Sequence, residues 1–143
     1  MKWSVFMKFV KAFLIWLLII PFAILNGGLR EYFLEPILGK SIALSLSGII
    51  LSVIVFVVAY LLIPKIKGCK TSEYVVFGTL WFVLTNLFDF LMIVVQDKPL
   101  SAFFEMYDFT TGNLWILVVI TSLISPLLVV KIRKIAPVEQ KLT

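Results

Sequence analysis

The segment Asn26-Gly27-Gly28-Leu29-Arg30-Glu31 and the later run Asn86-Leu87-Phe88-Asp89 put polar and ionisable side chains at the end of one apolar stretch and inside another. Charges at such depth are costly in lipid, and they mark either a buried pair or a site. A carboxylate and a guanidinium offer two kinds of chemistry there. Together they can hold a proton, a small polar solute or a lipid headgroup. Alternatively, Glu31 or Asp89 serves as acid or base while Arg30 grips an anionic group, as a lipid-modifying enzyme would require.

Other chemistries are excluded by what the chain lacks. It has no His, which removes the commonest general base, the commonest zinc ligand and every Ser-His or Cys-His dyad. Its single Cys, Cys69, makes neither a disulfide nor a thiolate cluster. There is no P-loop and no dinucleotide glycine motif, so no cofactor and no metal is implied. The net charge of +5 does not indicate nucleic acid, because the basic residues sit at the ends of apolar segments rather than on one soluble face.

The elements that position these groups are membrane spans. The chain is 62% hydrophobic with a mean hydropathy of +1.10, and its 143 residues leave room for one membrane domain and no soluble domain beside it. Four spans are expected, at about 9–26, 41–63, 74–95 and 112–130. The first is the shortest, extended by Lys8 and Lys11 with their ammonium groups reaching the headgroups. No small-x-small cleavage pattern follows it, so it reads as a retained helix rather than a signal peptide. Lys2, Lys8, Lys11, Lys65, Lys67, Lys70, Lys131, Arg133, Lys134 and Lys141 fall on one side, against Arg30, Lys40 and Lys98 on the other. The positive-inside rule then puts both termini and the Cys69 loop in the cytoplasm of an inner cell membrane. Short connections predict an all-α, antiparallel four-helix transmembrane bundle.

Ser41, Ser45, Gly48 and Ser52 form a thin stripe on the second span, read as a packing seam in preference to a conduction path. Ser125-Pro126 predicts a bend in the fourth span, with the serine hydroxyl helping to satisfy the freed carbonyl. Trp3, Tyr60 and Tyr74 are expected near the inner interface and Trp115 in the outer aromatic belt. The two outward loops, Arg30 to Leu38 and Pro99 to Phe109, read as short interfacial elements covering the outer mouth. In the second, Leu100, Phe103, Phe104 and Tyr107 would form the apolar face, with Ser101, Glu105 and Asp108 toward water. The two hairpins resemble one another too weakly to claim a repeat.

Helical rise sets the depth of the polar groups. With the first span centred near Ile19, Asn26 lies roughly 10 Å and Arg30 about 16 Å above the midplane; with the third centred near Leu84, Asn86 lies about 3 Å and Asp89 roughly 7 Å above it. The long Arg30 side chain leans back toward Asp89, so an Arg30–Asp89 pair is feasible. Asn26 and Arg30 share a face at i,i+4, as do Thr85 and Asp89. Glu31, Glu35, Glu105, Tyr107, Asp108 and Asn113 would line the entrance. The candidate binding set is therefore Asn26, Arg30, Glu31, Asn86, Asp89, Tyr107, Asp108 and Asn113. A bland alternative is that Arg30 and Asp89 only lock two helices together.

These segments, with Leu80-Trp81 through Phe90 and Tyr107-Asp108 through Gly112-Asn113-Leu114-Trp115, resemble a family of small four-span prokaryotic membrane proteins. That family carries Asn-Gly-x-x-Arg-Glu, Phe-Glu-Phe and Tyr-Asn-x-x-x-Gly-x-Leu-Trp. The resemblance covers nearly the whole chain and departs at Asp89, where Glu is expected, and at Asp108, where Asn is expected. It implies the architecture and the choice of cluster, and it supplies no reaction. Three readings follow. One is binding or transport of a small polar solute, proton or lipid headgroup. Another is a non-catalytic subunit or scaffold, docking a partner through the serine–glycine stripe. The third, a lipid-modifying enzyme, is the weakest because no nucleophile motif is present. The bilayer is the expected partner, together with a small polar ligand or lipid; a homo-oligomer stays open, and nucleic acid is not expected. Binding is preferred, since a purely structural role rarely gathers several ionisable groups at one mouth.

Overall fold

The computed structural model describes residues 3–138, so Lys2 and Lys141 of the charge tally lie outside the described residues. Among those described, every regular element is helical. Four helices are long and apolar enough to cross a membrane. The first run is α1 (Trp3–Leu29), continuing without a break through a π-helical turn (Arg30–Leu34) into α2 (Glu35–Leu38). Then come α3 (Lys40–Leu62), α4 (Thr71–Val95), the short α5 (Ser101–Glu105) and α6 (Trp115–Ile132).

Each boundary has a local cause. The first run ends at Gly39, whose φ of +86° lies in a region that favours a residue without a Cβ. Pro64 turns the end of α3 into a single 3-10 turn (Ile63–Lys65), because its ring nitrogen cannot continue the ladder. At the start of α4, Glu73 Oε1 accepts from the Lys70 backbone N–H at 2.9 Å, satisfying one of the donors a helix start leaves free. Before α6, Gly112 takes a left-handed φ of +91°, and Asn113 Oδ1 accepts from Trp115 N at 3.0 Å.

Helix α6 packs most extensively on α4 and α3, while α1 lies against α3 and more sparingly against α4. Small residues permit the close approaches. A Cβ on Gly78 would collide with the Leu123 carbonyl, so glycine there lets the α4 and α6 backbones meet. Gly48 of α3 does the same for Leu114, with the Leu114 Cβ only 2.9 Å from where a Gly48 Cβ would stand. Ser45 Oγ donates to the Gly112 carbonyl at 2.7 Å. The serine–glycine stripe is thus covered by the chain's own Gly112–Leu114 segment, which removes it as a docking face for a partner. Between 17% and 44% of each span's most apolar window is buried, so most of the apolar surface faces outward, as lipid contact requires.

Several expectations need correction. The first span is the longest helical run rather than the shortest: its 36 residues extend about 54 Å at 1.5 Å per residue. The Arg30–Leu38 segment is therefore a helical continuation and not a separate element. In α5 the packed face carries Phe103 and Met106, with Phe103 edge-on to Phe90, whereas Leu100 and Phe104 are exposed. In so short a helix two overlapping faces satisfy the same apolar pattern, and docking on α4 selects one. Tyr74 is buried among Phe77 and its neighbours. Trp115, at the start of α6, is partly buried against the core. Ser125 Oγ is buried and has no hydrogen-bond partner, so it does not satisfy the carbonyl that Pro126 leaves free; Ser122 Oγ donates to Val118 O at 3.0 Å, one turn earlier.

Candidate functional site

One end of the molecule is closed and the other hollow. At the closed end Lys8 Nζ meets Glu73 Oε1 at 3.3 Å and the Gly68 carbonyl at 2.7 Å, and Val138 N donates to Cys69 O. Above it α1 and α4 are joined through aromatic contacts: Phe9 edge-on to Phe77, Trp81 Nε1 donating to Ala12 O at 2.9 Å, and Trp16 Nε1 donating to Thr85 Oγ1 at 3.0 Å. Trp16 also meets Phe88 edge-on at 6.4 Å; past Phe88 no such contact joins the two helices among the described residues, and a cavity of 430 Å³ opens between them.

The cavity wall comprises Ala23, Ile24, Asn26, Gly27, Gly28, Arg30 and Glu31 from the first helical run and Leu44, Ser47, Gly48 and Leu51 from α3. Phe88, Asp89, Met92, Ile93, Gln96 and Lys98 face them, and Ala102, Met106, Asn113, Trp115 and Val118 complete the lining. A second recess of 40 Å³ adjoins it, lined almost wholly by apolar groups, among them Trp16, Ile19, Ile20 and Val55. Asp89, Phe88, Ala23 and Trp115 belong to both walls, so Asp89 stands at the junction of the more polar and the apolar parts.

Asn26 is only 5% exposed. Its amide nitrogen donates to Ser47 O at 3.1 Å and to Ser47 Oγ at 2.8 Å, an arrangement that fixes the amide orientation and leaves Oδ1 without a partner. Oδ2 of Asp89 is buried and equally without a partner. The anticipated Arg30–Asp89 pair does not form. Arg30 Nη2 lies 3.7 Å from Glu31 Oε1 and Nε 4.0 Å from Glu35 Oε1. The π-helical turn is the reason: its i→i+5 repeat stacks residue 35 against residue 30, where an ordinary α-helix would place residue 34. The guanidinium is thus flanked by its own helix's carboxylates.

Asn26, Arg30, Glu31, Asp89 and Asn113 of the expected set share the cavity wall. Asn86 and Tyr107 stand beside it. The Tyr107 hydroxyl donates to Asn86 Oδ1 and Asn86 Nδ2 donates to Phe82 O at 2.9 Å, so this pair ties the α5 region to α4. Burial first, and the nearby Asp89 charge second, push the Tyr107 phenol above its usual value, which keeps it a donor. Asp108 is exposed and accepts from the Thr110 backbone and hydroxyl, capping the turn Phe109–Thr111 outside the cavity. Sequence reasoning missed Ser47, Gln96, Lys98 and the inward Trp115. Gln96 was within reach, being two helical turns from Asp89 on the same face. Among the described residues no group of three His, Cys, Asp or Glu could hold a metal ion.

A scan against protein-family models, a search of curated proteins and a search of solved structures each found no match for the chain.

Proposed function

We propose that this is a multi-pass membrane protein whose cavity binds a small polar ligand or lipid headgroup. In this reading the four long helices run antiparallel across an inner membrane, with both termini and the Cys69 loop cytoplasmic and the cavity opening outward. The asymmetry of basic residues supports that orientation, and four helices long and apolar enough to cross a membrane support the architecture.

One observation carries the binding reading: Asn26 Oδ1 and Asp89 Oδ2 are buried acceptors without partners on the wall of a 430 Å³ space. An unmet buried acceptor costs about 1–3 kcal/mol, and a bound donor would offset that cost. Gly27 and Gly28 add weight. Both line the cavity, and a Cβ on either would meet nothing within 4 Å, so close packing does not explain them. The small apolar recess beneath Asp89 favours a binding site with a closed floor over an open water path. A scaffold reading loses its docking stripe to Gly112–Leu114, and the enzyme reading has on the cavity wall one serine, Ser47, which is bonded to Asn26, and no His or Cys beside it.

Native mass spectrometry of the protein released from a mild detergent tests this. A retained small molecule or lipid is expected in the wild type, with occupancy lost in Gly28→Leu and in Arg30→Ala. A protein that flies without adducts, or with adducts indifferent to both substitutions, overturns the proposal.

A further inference from the structure

The unmet acceptors of the cavity are not paired with its cation. Its cation Arg30 is flanked by Glu31 and Glu35, at 3.7 Å and 4.0 Å. Its deep carboxylate, Asp89, has no ion-pair partner within 4.0 Å among the described residues, and Asn26 Oδ1, a second acceptor, is also unmet. Lys98 belongs to the wall as well, at the far end of α4. The deep unmet groups on α1 and α4 are thus oxygens, one of a carboxyl group and one of an amide. Two buried donors on the wall are also without hydrogen-bond partners, the Trp115 indole N–H and Arg30 Nε, the latter 4.0 Å from Glu35 Oε1.

Rings line the recess on one side of Asp89. Trp16, Phe88 and Trp115 line the recess that Asp89 borders, with Trp16 and Phe88 edge-on at 6.4 Å. Aromatic faces together with a carboxylate attract an organic cation. The two unmet oxygens narrow the class further, since only an N–H-bearing cation can donate to them. An ammonium offers three donors, and a quaternary amine offers none.

Resting on the binding reading above, we propose that the cavity takes a primary ammonium group, with Asp89 and Asn26 as its acceptors and the Trp16, Phe88 and Trp115 rings on one side of it. The group is carried either by a lipid headgroup or by a free amine.

The test offers the purified full-length protein an equimolar mixture of phosphatidylethanolamine, phosphatidylcholine and phosphatidylglycerol with identical acyl chains, and reads retained lipid by native mass spectrometry. Phosphatidylethanolamine should exceed each of the others by about tenfold, the ratio that 1.4 kcal/mol of preference gives. The preference should vanish in Asp89→Asn and persist in Asp89→Glu. Intrinsic tryptophan emission identical to wild type shows that the variants are folded. Free ethanolamine displacing the lipid at millimolar concentration would assign the site to the amine itself; failure to displace it would assign the lipid-borne amine. Equal retention of phosphatidylcholine or phosphatidylglycerol, or a preference surviving in Asp89→Asn, overturns the ammonium assignment alone. No adduct of any class overturns the binding reading beneath it.

Discussion

Asp89 and Asn26 show how a side chain comes to be held in an unfavourable place. Asn26 is pinned by two donations to Ser47, and that same geometry denies its carbonyl oxygen a partner. Asp89 sits where α1 and α4 have parted, with no cation delivered to it. Such groups trade stability for function. Asp89→Asn is therefore expected to stabilise the ligand-free protein by about 1–2 kcal/mol at alkaline pH, where the carboxyl is forced to ionise, since it removes a charge that burial disfavours. Thermal unfolding in delipidated detergent would show this as a raised midpoint, and an unchanged or lowered midpoint would mean that the carboxylate is already satisfied. Cys69 makes a contrasting case at the closed end. Burial chiefly, and the Glu73 charge next, push its thiol above the ordinary value. At a given pH it holds less thiolate than a free cysteine. Iodoacetamide should modify it slowly in the folded protein near pH 8 and faster as pH rises toward about 10, with the difference from a model thiol abolished in denaturing detergent.

Helices that look alike in composition differ in how they use glycine. Gly48 and Gly78 are contact points where α3 and α4 receive the α6 segment, whereas Gly27 and Gly28 of α1 face open space. Substitution should separate the two classes. Gly78→Ala forces its Cβ onto the Leu123 carbonyl and is expected to cost about 1–3 kcal/mol or more. Gly27→Ala should be neutral or stabilising by up to about 1 kcal/mol, because alanine is the better helix former and nothing opposes its methyl. Denaturant-induced unfolding of both variants, followed by tryptophan emission, gives the comparison. The serine–glycine stripe was legible in the sequence as a packing seam because its spacing repeats with the helix. Gly78, a lone glycine in an apolar run, carried a weaker signal of the same kind. The helical path through Arg30–Leu34 was not legible: its charges and aromatics suit an interfacial loop equally well, and only the π-helical turn shows that Arg30 is diverted to Glu35.

Across the whole molecule the two ends differ in construction. The Cys69 end is tied by the Lys8–Glu73 ion pair, by the Lys8–Gly68 bond and by Val138 on Cys69, while the opposite end encloses a cavity wall. If the basic residues set orientation as proposed, these ends lie on opposite sides of the membrane. With Cys69→Ala as background, Lys67→Cys should stay unlabelled by a membrane-impermeant maleimide in intact cells and react after lysis, whereas Glu105→Cys should react in both. The reverse pattern would invert the topology and turn the cavity to the cytoplasm.

The sequence by itself determined the class of element: long apolar runs with charges at their ends admit four helices able to span a membrane, because backbone groups in hydrocarbon must be satisfied within each segment. It also marked Asn26, Arg30 and Asp89 as the costly residues, since burial of charge depends on surroundings that hydropathy already reports. Which of these groups meet was decided only by tertiary structure. Pairing turns on a few ångströms of side-chain reach, set by one π-helical turn that gives Arg30 to Glu35 and by aromatic contacts that join α1 and α4 on one side of Phe88 and leave them apart on the other. Residue type and depth are properties of the chain; the space between two helices belongs to their packing.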